Sequence, residues 1–415
     1  MSGPQAQESR RPLVRVPVPP GAAGPLALLP HLAAALHGSG PAIAPIPTVT
    51  SAVSNDYVMS LLSAVRAAPT DPPLESDDVA VVLATSGSTG SPRGVLLTAG
   101  QLTSLTSVVN GPDRRPQWVL ALPVTSMGGL NVLIRALAVD RSPVCLPSLG
   151  GAEPFTPTAF HHAVEEAWDH TDDVRVSLVP PQLARLISDD AGIEALRACT
   201  QVLVGGASTR DSLLDTCREL GVGVTTTYGA TETAGGCVFD GVPLPGVTVT
   251  TSTPLHSGPG LITIHGPCVA LGYRGEPDLS RERFSPGAFV TTDVGFVSPS
   301  GSVQVVGRAD DVVIINGINV SPGAVERVIG DLPDIVSAAV VAVLDANGDP
   351  SLVAFIEVRD EAGAAAATAT AAVAETLGRA ARPSTIRQVA RLPHLPNGKV
   401  DSLLLQEWAR TDEGM

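Results

Sequence analysis

The sequence predicts an α/β protein in two parts, a large N-terminal domain of several subdomains and a small α+β C-terminal domain. Three observations lead there. From about residue 20 to about 300, short β-branched runs alternate with amphipathic helical segments, the pattern of largely parallel strands joined by helices. Segments 247–252, 261–265 and 303–306 read as strands with no helix between them, so a β-rich subdomain closes the large domain. Beyond a charged turn at 307–311, about a hundred residues in strand, helix, strand, strand, helix order form a compact unit.

Taken in order, residues 1–20 are polar and proline-rich and are expected to be poorly ordered. The apolar stretch 21–37 is broken by Pro25, Pro30 and His31 and follows Arg10 and Arg11, so it is read as neither signal peptide nor membrane span. Val79-Ala80-Val81-Val82-Leu83 is a strand, with a helical segment opening near Ala99. Arg175-Val176-Ser177-Leu178-Val179 is another. So is Gln201-Val202-Leu203-Val204, followed by the turn Gly205-Gly206 and a helix running into Cys217-Arg218-Glu219-Leu220. After the charged turn come the strand Val312-Val313-Ile314-Ile315, a helix over 322–330, strands over 336–344 and 351–358, and an alanine-rich helix over 362–379. The Ala/Thr run 364–372 reads as a surface helix rather than a linker. The domains are therefore 1–307 and 312–415, with the boundary at 308–311.

Composition excludes several classes. With 44 % hydrophobic residues the chain has ample material for a core. A formal charge of −15 makes a basic groove for nucleic acid an implausible device, because phosphate neutralisation by Lys and Arg carries most such affinity. Anions must be gripped locally, by backbone amides. The five cysteines Cys145, Cys199, Cys217, Cys237 and Cys268 show no CxxC spacing, which points away from zinc and disulfide frameworks and towards a cytoplasmic chain with reduced thiols. Of 26 basic side chains 25 are arginine and one is lysine, Lys399. Guanidinium and ammonium are not interchangeable. A single retained lysine marks either accident in an arginine-biased chain or a position that needs ammonium chemistry.

The strongest local signal is Thr85-Ser86-Gly87-Ser88-Thr89-Gly90-Ser91-Pro92-Arg93-Gly94, directly after the first strand above. Hydroxyls and glycines at this density let N–H and O–H groups converge on an anion, and the spacing is not that of a Walker A loop. The segment resembles the T-S-G-S-T-G-x-P-K-G loop of the adenylate-forming superfamily of acyl-CoA synthetases, luciferases and peptide-synthetase adenylation domains. There the loop holds the β- and γ-phosphates of ATP. Arg93 stands where that family has lysine.

Further segments match in the family's order over roughly 75–405. Thr227-Tyr228-Gly229-Ala230-Thr231-Glu232 resembles Y-G-x-T-E, which implies tyrosine beside adenine, Thr231 on the α-phosphate and Glu232 on Mg²⁺. A hard cation bridging phosphates takes one or two carboxylates and keeps its waters. Gly205-Gly206-Ala207 matches the turn packed on adenine, and Thr292-Asp293 the segment whose aspartate binds the ribose hydroxyls, with Thr292 replacing a glycine. Gly307-Arg308-Ala309-Asp310-Asp311 resembles the hinge motif, in which Arg308 touches ribose and Asp310 absorbs a large rotation that makes the C-terminal domain mobile. Gly317 falls where a loop lines the pantetheine tunnel of CoA. Leu395-Pro396-Asn397-Gly398-Lys399 matches P-x-G-K, whose lysine enters the adenylation site, a preorganised electrostatic role. The resemblance makes Lys399, Thr231 and Arg93 the catalytic set, with ATP, Mg²⁺ and CoA as cofactor and co-substrates.

A narrower likeness, to actinobacterial o-succinylbenzoate-CoA ligases of menaquinone biosynthesis, rests on the runs 129–135, 177–183, 204–207 and 231–244. It implies an acyl pocket at Ser126, Gly129, Arg135, Gly235 and Gly236. The glycine pair suits a flat aromatic acid against bare backbone. Ser126 departs from the family's histidine, which is read either as drift within the same enzyme or as a paralogue activating another acid. Arg135 reads either as counter-ion to a second substrate carboxylate or as an ordinary surface residue of an amphipathic helix. A ligase passing its acyl group to an amine or carrier protein, and a nucleotide-binding protein without turnover, are the competing readings. The expected partners are a small carboxylic acid, ATP and CoA, without nucleic acid or membrane insertion, and a homodimer is allowed for but not specified.

Overall fold

The computed structural model describes residues 11–85, 92–253, 258–315, 317–344, 348–358, 364–395 and 400–411. The chain is a mixed α/β protein with a large N-terminal domain and a small C-terminal one. Three sheets build the first. In one, the strands Leu13–Val18, Ala42–Pro47 and Val79–Ala84 run parallel and are extended by antiparallel Gly94–Thr98 and Gly272–Tyr273. The second holds seven strands, with Val144–Cys145, Gln117–Leu120, Val174–Leu178, Gln201–Gly205 and Val224–Ala230 parallel and Gly235–Phe239 and Val242–Pro243 turned back along its edge. The third is antiparallel, Thr248–Thr251, Gly260–His265, Ala288–Val297 and Phe284–Ser285, with Val303–Arg308 also paired to Ala288–Val297.

Two expectations are corrected. Leu13–Val18, placed in a poorly ordered tail by its prolines, is an edge strand with Val16 and Val18 buried, a position that tolerates Pro17; residues 1–10 lie outside the described set. The β-rich subdomain is not free of helix, because Pro277–Arg283 intervenes ahead of the long strand Ala288–Val297. The segment 85–93 follows a strand, and a helix opens at Ala99 as expected. That segment connects the antiparallel strands Val79–Ala84 and Gly94–Thr98, and the helix Ala99–Thr103 starts behind a Thr98/Gln101 capping box.

The C-terminal unit pairs Ile335–Leu344 with Pro350–Val358 and adds Thr385–Gln388 in parallel. The helices Pro322–Gly330 and Ala365–Leu377 pack on one face, the latter through Ala365, Ala369 and Val373, so the alanine-rich run is a surface helix with one buried stripe. Between the two domains the Arg210 guanidinium donates to three main-chain carbonyls across the junction, those of Gly330, Ile335 at 3.1 Å and Val336 at 2.7 Å. A Cβ on Gly330 would lie 2.8 Å from Arg210 Cδ, so that glycine makes the seat. Among the described residues no helix is long and apolar enough to cross a membrane.

A buried ion pair fastens the seven-stranded sheet. Arg175 donates from Nε and Nη2 to the two oxygens of Asp173, each at 2.8 Å, and from Nη1 to the Val109 carbonyl at 2.6 Å. The Thr200 hydroxyl adds a bond to Asp173 at 2.7 Å. Burial opposes ionisation of Asp173, but these donors hold its carboxyl down at about 2. Since that lies below the unfolded value near ~3.9, the contribution is full above about pH 4 and is lost as pH falls towards 2. Asp173→Asn is expected to cost about 3 kcal/mol near neutrality. Its acid unfolding, followed by circular dichroism, should be flatter than that of the parent below pH 4.

Candidate functional site

The site forms around a chain reversal. Val224–Ala230 runs up the second sheet, a single turn of 3₁₀ helix covers Thr231–Thr233, and Gly235–Phe239 returns antiparallel. The buried Thr233 hydroxyl closes the turn, accepting from Ala230 N–H at 2.9 Å and donating to the Gly235 carbonyl at 2.9 Å. No side chain fits between the two strands: a Cβ on Gly229 would lie 2.0 Å from the Gly235 oxygen. Gly235 adopts φ +103°, and a Cβ there would meet Asn131 Nδ2 at 2.1 Å. That amide donates to the Ala234 carbonyl at 2.9 Å, so Asn131 locks the turn.

Two tyrosines hold the two carboxylates assigned to nucleotide and metal. Tyr228 donates to Asp293 at 2.7 Å, across from the third sheet. Tyr273 donates to Glu232 Oε1 at 3.0 Å, from the short strand of the first sheet. Burial, and then the neighbouring carboxylate, push both phenols upwards, so each stays a donor throughout the physiological range. The Ala270 N–H also donates to the Glu232 carbonyl at 2.8 Å. Arg93, at the end of the segment 85–93, lies 5.7 Å from the centre of the Tyr273 ring and 3.7 Å from a Glu276 oxygen. The loop's base is closed by Thr85 N–H on the Arg93 carbonyl at 2.8 Å and Arg93 N–H on the Thr85 hydroxyl at 3.0 Å. Tyr273 thus joins loop and carboxylate, and the motif reading passed over it. The signal was its rarity, one of three tyrosines in the chain.

Other assigned residues fall into place around this reversal. Gly205 ends its strand against Thr227, whose Oγ1 would lie 2.2 Å from a Cβ; Gly206 turns at φ +82°, and Ala207 is exposed beyond it. Arg308 sits opposite Asp293 in the third sheet and grips Asp310 with Nε at 2.9 Å and Nη2 at 2.6 Å, with Asp311 at 3.4 Å. Burial works against its charge, but Asp310, Asp311 and Asp293 together raise it. In this structure Arg308 is thus engaged by the aspartates of its own turn. Gly317, at φ +79°, is the tip of the small hairpin Val313–Ile315 and Ile318–Val320, with nothing within 4 Å of a Cβ. Ser86, Gly87, Ser88, Thr89, Gly90 and Lys399 lie outside the described residues.

The helix Met127–Leu137 brings Asn131 and Arg135 to a cavity that Gly236 also lines, whereas Ser126, Gly129 and Gly235 are not among its lining residues. Ser126 precedes the helix, with its hydroxyl donating to the Pro123 carbonyl at 2.7 Å, and Gly129 packs on that backbone, where a Cβ would meet the Pro123 oxygen at 2.3 Å. Arg135 is corrected from a surface residue: it is 7 % exposed, its guanidinium 5.2 Å from the Trp118 ring centre. Burial, and secondarily the charge of Arg175, bring it down to about 10, so it remains a cation. No ion pair holds it among the described residues. It lines this small, partly open cavity with Asn131, Ala234, Gly236 and Cys268.

The profile of the AMP-binding enzyme family matches residues 34–274, and that of its C-terminal domain 324–399. The chain belongs to the AMP-binding enzymes. It is 37 % identical over 394 residues to a "Probable 2-succinylbenzoate–CoA ligase" of Mycobacterium tuberculosis, covering 94 % of this chain and 96 % of that one. To the sulfoacetate–CoA ligase of Cupriavidus necator it is 29 % identical over 387 residues, 87 % of this chain and 73 % of the relative. In fold it resembles ATP-bound MatB from Rhodopseudomonas palustris (TM-score 0.77, 23 % identity, 98 % and 90 % covered). It also resembles the o-succinylbenzoate CoA synthetase of Bacillus subtilis in complex with an acyl-adenylate (TM-score 0.71, 21 % identity, 96 % and 88 % covered). Within this family Tyr273→Phe should lower the pyrophosphate–ATP exchange rate about tenfold, the value of one hydrogen bond to a charged group, and should raise the Mg²⁺ concentration needed for half-maximal rate.

Proposed function

We propose that the chain is an ATP-dependent acid–CoA ligase working through an acyl-adenylate, and that its acid is o-succinylbenzoate. Arg135 carries the substrate assignment. A buried cation without a counter-ion is costly, and this one faces a cavity floored by the bare backbone of Gly236. A flat aromatic acid with two carboxylates matches this chemistry: one is activated while the other pairs with Arg135. The similarity to the mycobacterial ligase supports the same acid.

Adenylation joins the carboxylate to the α-phosphorus of ATP and releases pyrophosphate. Tyr228 and Asp293 hold the nucleoside, and the 85–93 loop with Arg93 takes the β- and γ-phosphates. Thr231 donates to the α-phosphate. Glu232, oriented by Tyr273, is the carboxylate for Mg²⁺; a single carboxylate beside phosphates is the donor set that ion accepts. Bound Mg²⁺ supplies charge neutralisation on the phosphates. Lys399 places its ammonium between the carboxylate and the α-phosphate, where negative charge gathers. Residues 308–311 are the hinge between domains 1–307 and 312–415. Rotation at Asp310 withdraws Lys399, brings Gly317 to the pantetheine path, and the CoA thiolate displaces AMP. The Arg308 grip on Asp310 must break in that rotation. The second reading, another acid or acceptor, rests on Ser126, whose hydroxyl is tied back to Pro123 where the family carries an imidazole.

Arg135→Met is expected to reduce kcat/KM for o-succinylbenzoate about 100-fold, while 3-benzoylpropionate, which lacks the ring carboxylate, changes little. Thioester mass spectrometry over a panel of aromatic acids reads both, and rejects the assignment if another acid reacts and o-succinylbenzoate does not. Lys399→Arg keeps the charge but not the compact head group. It should lose pyrophosphate–ATP exchange and retain thioester formation from supplied acyl-adenylate; an active variant would return the single lysine to accident.

A further inference from the structure

The helix Thr106–Asn110 has no part in the chemistry above, yet its first residue borders the same cavity as Arg135. Thr106 is 7 % exposed. Two hydroxyls border that cavity, those of Ser104 and Thr106. Ser104 spends its proton on the Gln101 carbonyl at 2.8 Å. Thr106 makes no side-chain hydrogen bond among the described residues. A buried hydroxyl without a partner is costly, and no acidic side chain lines the cavity to take its proton. One cation and one unspent donor make a lining complementary to an anion.

The short helix is also tied to the arginine. Asn110, one helical turn beyond Thr106 and on the same face, donates from Nδ2 to the Arg135 carbonyl at 2.9 Å. Its Oδ1 accepts from the Trp118 indole at 3.1 Å, and that ring is the one whose centre lies 5.2 Å from the Arg135 guanidinium. Arg175 holds the neighbouring Val109 carbonyl at 2.6 Å. Asn110 is thus one bracket for three parts: the helix that begins at Thr106, the backbone that carries Arg135, and the ring beside its guanidinium. Donors fixed in this way need no ordering when a ligand arrives.

We propose that Thr106 is a second ligand for the substrate's non-reacting carboxylate, its hydroxyl donating to one oxygen while Arg135 pairs with the other. This rests on the reading of Arg135 as the substrate's counter-ion. A guanidinium alone attracts any anion within reach. A hydroxyl beside it fixes how the carboxylate is turned, and with it the plane of the aromatic ring and the direction in which the reacting carboxylate points. The free protein carries the cost of an idle buried hydroxyl, and the bound acid removes it.

Thr106→Val keeps the shape and removes the donor. In pyrophosphate–ATP exchange it should lower kcat/KM for o-succinylbenzoate about tenfold, mainly through KM, the value of one hydrogen bond to a charged group, and the preference over 3-benzoylpropionate should fall with it. Thr106→Ser, which restores the hydroxyl, should stay within about threefold of the parent. The melting temperature of the ligand-free valine variant, followed by circular dichroism, should equal or exceed that of the parent, because an idle buried hydroxyl gives way to a methyl. Combined with Arg135→Met, the loss should remain about 100-fold, since both side chains act on one carboxylate, whereas independent effects multiply to about 1,000-fold. An unchanged kcat/KM or a lowered melting temperature in the valine variant, no recovery with serine, or multiplying losses overturns the proposal. If the parent rejects o-succinylbenzoate, the substrate assignment falls, and the same pair of variants is measured with the acid that does support exchange. Coupled losses then keep Thr106 and Arg135 as one anion subsite, and multiplying losses overturn it.

Discussion

The reversal at residues 230–235 leaves no space for a side chain between its two arms, and the site hangs from that constraint. With a Cβ on Gly229 only 2.0 Å from the Gly235 oxygen, the strands can close only as bare backbone. Ala234 accepts a left-handed φ of +50° to complete the turn, a strained choice for a residue with a side chain. Everything of chemical interest is then displayed at fixed offsets: Tyr228 before the turn, Thr231 and Glu232 within it, Gly236 after it. Asn131 and Thr233 hold the turn shut from either side, so the loop that would bear the metal is as well fastened as the sheet.

The three sheets meet at this turn through side chains rather than through shared strands. Tyr228 reaches the third sheet at Asp293, and Tyr273 reaches back from the first sheet to Glu232. In a chain with 3 % aromatic residues, two of three tyrosines are spent as carboxylate holders. Each acts as a neutral donor whose phenol is driven further from ionisation by the charge it holds. A carboxylate kept in one rotamer needs no reorganisation when phosphates arrive, and preorganisation of this kind is where enzymes gain most.

Much of the fold was legible, and the exceptions have physical causes. The helices 322–330 and 211–219 and the strands 174–178 and 335–344 carry periodicity strong enough to survive without context. Ala42–Pro47 did not, because Pro45 and Pro47 argue against an inner strand; the sheet accepts them because pairing with Val79–Ala84 is registered only at Ile43. The site's motif residues were readable since their order is informative. Tyr273 and Asn131 were not, because a donor to a neighbouring carboxylate has no spacing rule, only a place in three dimensions. Arg135 was the reverse case: one-dimensional patterning favours a solvated arginine on a helix, and only the Trp118 ring beneath it and the cavity before it show that it is buried.

Arg210 contacts its neighbouring domain through main-chain oxygens of Gly330, Ile335 and Val336. Every residue carries such an oxygen. A junction built this way places little demand on which side chains follow the helix Pro322–Gly330, provided that position 330 stays small. Substitutions can therefore accumulate along this face of the small domain without loosening its grip, and the two domains are free to diverge at different rates.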